Sequence, residues 1–161
     1  MRIGIISDIH DNIWALDAAL AQLEDCQALI CLGDFCAPFT LAAIAEGFGG
    51  PVHVVWGNND GDKLLLARNA DQAGNVTLHG ELATVELDGR RIGASHFPEV
   101  AAALARSGDY DLACYGHSHR REVERVGKAA LVNPGEVMGR FGVRSLAIYD
   151  TTSGKAHIVE F

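Results

Sequence analysis

The chain has 161 residues, enough to bury a core of normal size, and is read as one domain over 1–161. A formal net charge of −8 argues against general nucleic-acid binding, and no apolar run reaches the length of a membrane span. The N-terminus opens on a strand with no basic leader or cleavage site, so the expected location is cytoplasmic. Cys26, Cys31, Cys36 and Cys114 contain no Cys-x-x-Cys pair and read as reduced core thiols.

In chain order, Arg2 to Ser7 is a short Ile-rich strand ending in Asp8-Ile9-His10. Asp8 and His10, spaced i and i+2, would point to one side of an extended backbone. Asp11-Asn12 offer N-cap chemistry to a helix carrying Ile13, Leu16, Leu20 and Leu23 at helical spacing as far as Asp25. Ala28 to Leu32 is a second strand before Gly33-Asp34, and Phe39 to Glu46 a short helix behind Pro38. Val52 to Trp56 is a third strand, ending in Gly57-Asn58-Asn59-Asp60, and Lys63 to Arg68 a further helix. Leu82 to Leu87 and Arg91 to Ser95 then form a hairpin around the Asp88-Gly89 turn, ending at His96. Pro98 starts a helix through Arg106, and Asp111 to Tyr115 is a strand before Gly116-His117-Ser118-His119. Glu122 to Val126 with Ala129 to Val132, and Val143 to Tyr149 with Ala156 to Phe161, close the chain as hairpin-like pairs. Parallel α/β units followed by antiparallel hairpins predict two mixed β-sheets packed face to face with helices outside, an αββα sandwich.

Five apolar strands thus end in polar clusters: Asp8 and His10, Asp34, Asn58, His96, and His117 with His119. Open α/β sheets bind ligands beyond the carboxyl ends of their strands. Gly33, Gly57 and Gly116 precede three of the clusters and would let the backbone turn tightly. Two carboxylates, an amide oxygen and four imidazoles are too many for one ion, but suit two ions sharing a carboxylate. The mixed oxygen and nitrogen set favours manganese, iron, nickel or zinc over calcium or magnesium, and manganese is the first expectation among them. Two ions roughly 3.5–4 Å apart form the usual device for displacement at phosphorus.

Asp8-x-His10, Gly33-Asp34, Gly57-Asn58-x-Asp60, His96 and Gly116-His117-Ser118-His119, in that order, resemble the calcineurin-like metallophosphoesterases. The spacing is similar to the small single-domain bacterial and archaeal phosphodiesterase branch, and the match extends through Asn133-Pro134-Gly135. The resemblance implies one metal on Asp8, His10, Asp34 and His119, and a second on Asp34, Asn58, His96 and His117. It implies that a hydroxide between the ions attacks the phosphorus of a small phosphodiester, in a site of small net positive charge. It also leaves a homo-oligomer open, since relatives form dimers or tetramers. Three positions depart from the family pattern. Asn59 stands where many members carry a histidine that assists the leaving group; an amide only hydrogen-bonds a phosphate oxygen. Phe97 replaces a glycine, and Glu136 replaces a small hydroxyl residue, where an inward carboxylate would repel an anionic substrate.

Asp34, Asn58, Asn59 and His96 are the catalytic candidates. The blander reading is that Asp8 and His10 cap a helix and that Gly33-Asp34 and Gly57 to Asp60 are ordinary turns. Asp60 reads as a loop-orienting residue, Asn12 as a phosphate contact at a helix start, His53 and His157 as structural, and His79 as a loop residue. Trp14 and Trp56 read as core, Arg120 and Arg121 as a solvated hairpin start, and 37–50 with 61–80 as the pocket wall. Two other functions compete with a phosphodiesterase: a non-catalytic interaction scaffold of the same fold, disfavoured by the four intact histidines, and a phosphomonoesterase, disfavoured by Asn59.

Overall fold

Which loops meet depends on how the apolar strands are ordered. A computed structural model describes residues 1–161. The chain runs Arg2–Ile6 (β1), Ile13–Ala21 (α1), Ala28–Cys31 (β2), Pro38–Gly47 (α2), Val52–Val54 (β3), Lys63–Ala73 (α3) and Val76–Leu78 (β4). Leu82–Leu87 (β5), Arg90–Ser95 (β6), Pro98–Ser107 (α4), Leu112–Cys114 (β7), Arg121–Val126 (β8), Ala129–Pro134 (β9), Ser145–Asp150 (β10) and Lys155–Glu160 (β11) follow.

Two mixed sheets result, ordered β11-β10-β1-β2-β3-β4 and β5-β6-β7-β9-β8. In the first, β1 to β4 are parallel, while β10 joins β1 antiparallel. In the second, β6, β7 and β9 are parallel and the hairpin arms β5 and β8 flank them. Strand alternation sorts the apolar side chains by layer. Ile3, Ile5 and Ile30 meet Ile92, Leu112 and Val132 between the sheets. Ile6, Leu29, Val52 and Val54 face α1, α2 and α3 through Leu16, Leu41 and Leu66. Ala113 and Leu131 face α4 through Ala101 and Ala105. Each fully buried Ile or Leu contributes about 1.5–3 kcal/mol, so the three layers fix the two sheets against each other. This is the αββα sandwich that the pattern of elements predicts.

The structure corrects several local expectations. α3 continues to Ala73 because Leu66 and Ala70, one turn apart, are both buried, and Gly74 ends it in the left-handed region at φ 74°. β4, a three-residue edge strand, was not expected. Trp14 is not core: it is 78% exposed, because α1 buries Ala15, Leu16, Ala19 and Leu20 and position 14 falls on the opposite face. Asn12 is taken up structurally, its Oδ1 capping Ala15 N at 3.2 Å and its Nδ2 donating to Met138 O.

Candidate metal centre

The carboxyl ends of β1, β2, β3, β6, β7 and β9 open toward one edge of the sandwich, and the loops that follow carry the polar clusters. The expected i, i+2 extended geometry at Asp8 and His10 does not occur, since β1 stops at Ile6. Both residues take left-handed backbone, at φ 55° and 45°, as do Asp34 at 52°, His117 at 66° and His119 at 58°. Each such non-glycine residue costs on the order of 1–3 kcal/mol, and such strain gathers at functional sites. The three glycines also differ from their expected role. Only Gly33 needs its conformational freedom, at φ 89°. Gly57 and Gly116 permit close approach: a Cβ would lie 2.1 Å from Asp34 Oδ1 at Gly57 and 1.9 Å from Ser7 Oγ at Gly116.

All seven expected ligands come together, in two groups. His10 Nε2 lies 3.7 Å from both Asp8 Oδ1 and Asp34 Oδ2, and His119 Nε2 lies 3.3 Å from Asp8 Oδ1. On the other side His96 Nε2 is 3.5 Å from Asp34 Oδ2 and 3.1 Å from Asn58 Oδ1, while His117 Nδ1 is 2.8 Å from that amide oxygen. Asp34 Oδ2 is the oxygen the two groups share. The first sheet supplies Asp8, His10, Asp34 and Asn58, and the second supplies His96, His117 and His119.

A ring of hydrogen bonds fixes these side chains. His96 Nδ1 donates to Leu32 O at 2.7 Å, which leaves Nε2 facing the site. Asp60, which the sequence assigns to the loop, accepts from the backbone N–H of Asp34, Cys36 and Gly57. Asn59 grips Asp34 twice, through its backbone N to Oδ1 at 2.8 Å and its Nδ2 to Oδ2 at 2.7 Å. The Phe97 ring packs edge-on against His96 and tilted against His117. Asn133, fully buried, donates to Gly116 O and Ser118 Oγ and so ties the end of β9 to the histidine loop.

Electrostatics follow from this packing. Burial would raise the Asp34 carboxyl, but the His96 ring and the Asn59 donors outweigh it and hold Asp34 well below the ordinary carboxylate range. The Asp8 carboxylate raises His10 against the opposing effect of burial. Burial works to lower His96, yet Asp34 beside it prevails and raises it. Burial raises Asp60 in spite of its three backbone donors.

The residues suit divalent cations. Asp8 Oδ1 and His10 Nε2 are buried with no hydrogen-bond partner, and a buried polar atom normally has one. The ligating atoms of Asp8, His10 and His119, and of Asp8, Asp34 and His96, fall within 4.8 Å of one another. The donor set of carboxylate, amide and imidazole fits a transition metal. A cavity of about 560 Å³ adjoins His119, and its walls are not the expected 37–50 and 61–80 segments. Ser118 to Arg121, Glu136, Phe141 and Val143 line it instead. The segment around Phe141 escaped sequence reading because it carries neither a ligand type nor a periodic pattern.

The calcineurin-like phosphoesterase superfamily domain matches residues 1–154. The chain belongs to that superfamily. A phosphodiesterase of Methanocaldococcus jannaschii is 31% identical over 156 residues, which are 94% of this chain and 93% of that one. A solved archaeal phosphodiesterase superposes with a TM-score of 0.92 at 28% identity, covering 100% of both chains. Vps29 of Chaetomium thermophilum superposes with a TM-score of 0.70 at 20% identity, over 100% of this chain and 96% of its own, a likeness of fold alone. Within the superfamily frame, no helix of this chain is long and apolar enough to cross a membrane.

Proposed function

We propose that the chain is a phosphodiesterase that hydrolyses small phosphodiesters with two divalent transition ions, manganese foremost. One ion would be held by Asp8, His10, Asp34 and His119, and the other by Asp34, Asn58, His96 and His117. The observation that carries this reading is the pair of side-chain groups meeting at Asp34 Oδ2, beside buried Asp8 Oδ1 and His10 Nε2 atoms that lack any other partner. The likeness to two phosphodiesterases over nearly the whole chain supports it. Such ions supply a water of lowered pKa and neutralise charge growing on the phosphoryl oxygens.

The protein's own groups set the limits of the chemistry. Asn59 is committed to the Asp34 carboxylate through two hydrogen bonds, so it orients that shared ligand. Neither Asn59 nor Asn58 is an acid able to protonate a leaving alkoxide. Lack of a general acid costs about 10²–10⁴-fold, least where the leaving group is already good. Arg120, exposed on the cavity wall beside His119, is free to meet an anionic part of the substrate. Both sheets contribute ligands, which supports residues 1–161 as a single domain.

The test compares bis(4-nitrophenyl) phosphate with 4-nitrophenyl phosphate in the presence of manganese. Faster turnover of the diester, abolished in Asp34→Asn together with most bound metal, is the expected result. Faster monoester turnover would overturn the diester assignment, and a metal-loaded chain that turns over neither would favour an interaction scaffold.

A further inference from the structure

Glu136 follows β9 and is 2% exposed, an unusual place for a carboxylate beside an anion-hydrolysing site. It does not point at the site centre, as a repelling group would. Its Oε2 lies 2.7 Å from His119 Nδ1, and its Oε1 accepts the Phe141 backbone N–H at 2.5 Å. The Phe141 ring in turn meets the His119 ring edge-on, with centroids 5.2 Å apart. The other His119 nitrogen, Nε2, faces Asp8 Oδ1 at 3.3 Å. The Glu136 backbone is itself held, because its carbonyl accepts from Ser145 N at 3.0 Å. Gly135 before it, at φ 84°, leaves no room for a Cβ against Ser145 Oγ.

We propose that Glu136 is a positioning residue that locks His119 in the tautomer with Nε2 free for the cation and, through its second oxygen, fastens residues 138–143 over that histidine. This rests on the dinuclear reading for the role of Nε2. A carboxylate accepting the Nδ1 hydrogen turns the ring, fixes its tautomer and makes Nε2 a better donor, and losing such a partner costs about 10–100-fold in metal affinity. Two donors converge on Glu136, the imidazole and the Phe141 amide, and only a carboxylate offers an acceptor oxygen to each. A glutamine has one acceptor and an NH₂ group that would oppose one of the two donors. A serine is too short to bridge them. Cation binding at His119 and the placement of Phe141 over the cavity are therefore coupled through one side chain.

Nitrogen NMR of the metal-free wild-type chain at alkaline pH tests the first half without any variant. His119 is expected with its hydrogen on Nδ1, and a hydrogen on Nε2 overturns the proposal. Manganese titration of wild type, Glu136→Gln and Glu136→Ala tests the second half. One of two ions is expected to bind about 10–100-fold more weakly in Glu136→Ala, with the other unchanged and Glu136→Gln between. Manganese should also slow hydrogen exchange at the Phe141 amide in wild type but not in Glu136→Ala. Equal affinities in all three chains overturn the proposal. A wild-type chain that takes up no manganese overturns the dinuclear reading instead, and the tautomer measurement still decides for or against Glu136.

Discussion

Asp34 concentrates the chemistry of the site in one side chain. It is 2% exposed, gripped by both donors of Asn59, and faces His10 on one side and His96 on the other. The two histidines are raised by the carboxylates beside them, so without metal they keep protons above the ordinary imidazole value near 6.5. Raised folded values stabilise the metal-free chain fully below the unfolded value and lose that contribution as pH rises through the folded ones. A cation must displace those protons, so its affinity rises over the same interval. The gain in melting temperature on adding manganese to the metal-free protein should therefore grow from about pH 6 to pH 8. His53 and His79, which burial lowers, contribute alike to both forms and cancel in that difference. A gain that is flat or falls with pH would contradict the assignment of His10 and His96 as ligands. At this scale the side chains that converge around Asp34 were legible from sequence, because each cluster closes an apolar strand. The work of Asn59 and Glu136 was not, because it depends on which neighbouring group each side chain turns toward.

Between residues and the whole lie the loops at the strand ends, where backbone shape carries the site. Gly116 is required for approach and not for its dihedral angle, since a Cβ there would lie 1.9 Å from Ser7 Oγ and 2.8 Å from Asp8 Oδ2. Gly89, in the hairpin turn, is the opposite case: its φ is 72° and nothing lies near its missing Cβ. Gly116→Ala should cost about 1–3 kcal/mol by overpacking and displace Asp8, abolishing metal uptake. Gly89→Ala should cost about 1–2 kcal/mol through its left-handed backbone and leave uptake intact. Denaturant unfolding with a metal titration separates the two, and normal uptake by Gly116→Ala would contradict the role given to that loop. The sequence revealed the hairpin turn and most helices and strands through periodicity and turn chemistry. It could not reveal β4, where Val76-Thr77-Leu78 is too short to carry a period. Nor could it reveal the left-handed turns at Asp8 and His10, where alternation along a strand was assumed past the point at which β1 ends.

Across the molecule, the two sheets are joined by the layer of Ile3, Ile5, Ile30, Leu112 and Val132 and again at the proposed centre, to which each sheet contributes ligands. The sandwich was legible because parallel units precede antiparallel hairpins in the chain. The convergence of its strand ends on one point follows from packing the sheets with β1, β2, β3, β6, β7 and β9 opening to the same edge. On the dinuclear reading, an acidic chain with net charge −8 would thereby hold a compact cation site whose own charge is positive when loaded. Anomalous diffraction from crystals grown with manganese tests this account most directly. It predicts two peaks flanking Asp34 Oδ2, roughly 3.5–4 Å apart, one against His10 and His119 and the other against His96 and His117. A single peak, or ions bound away from Asp34, would contradict it.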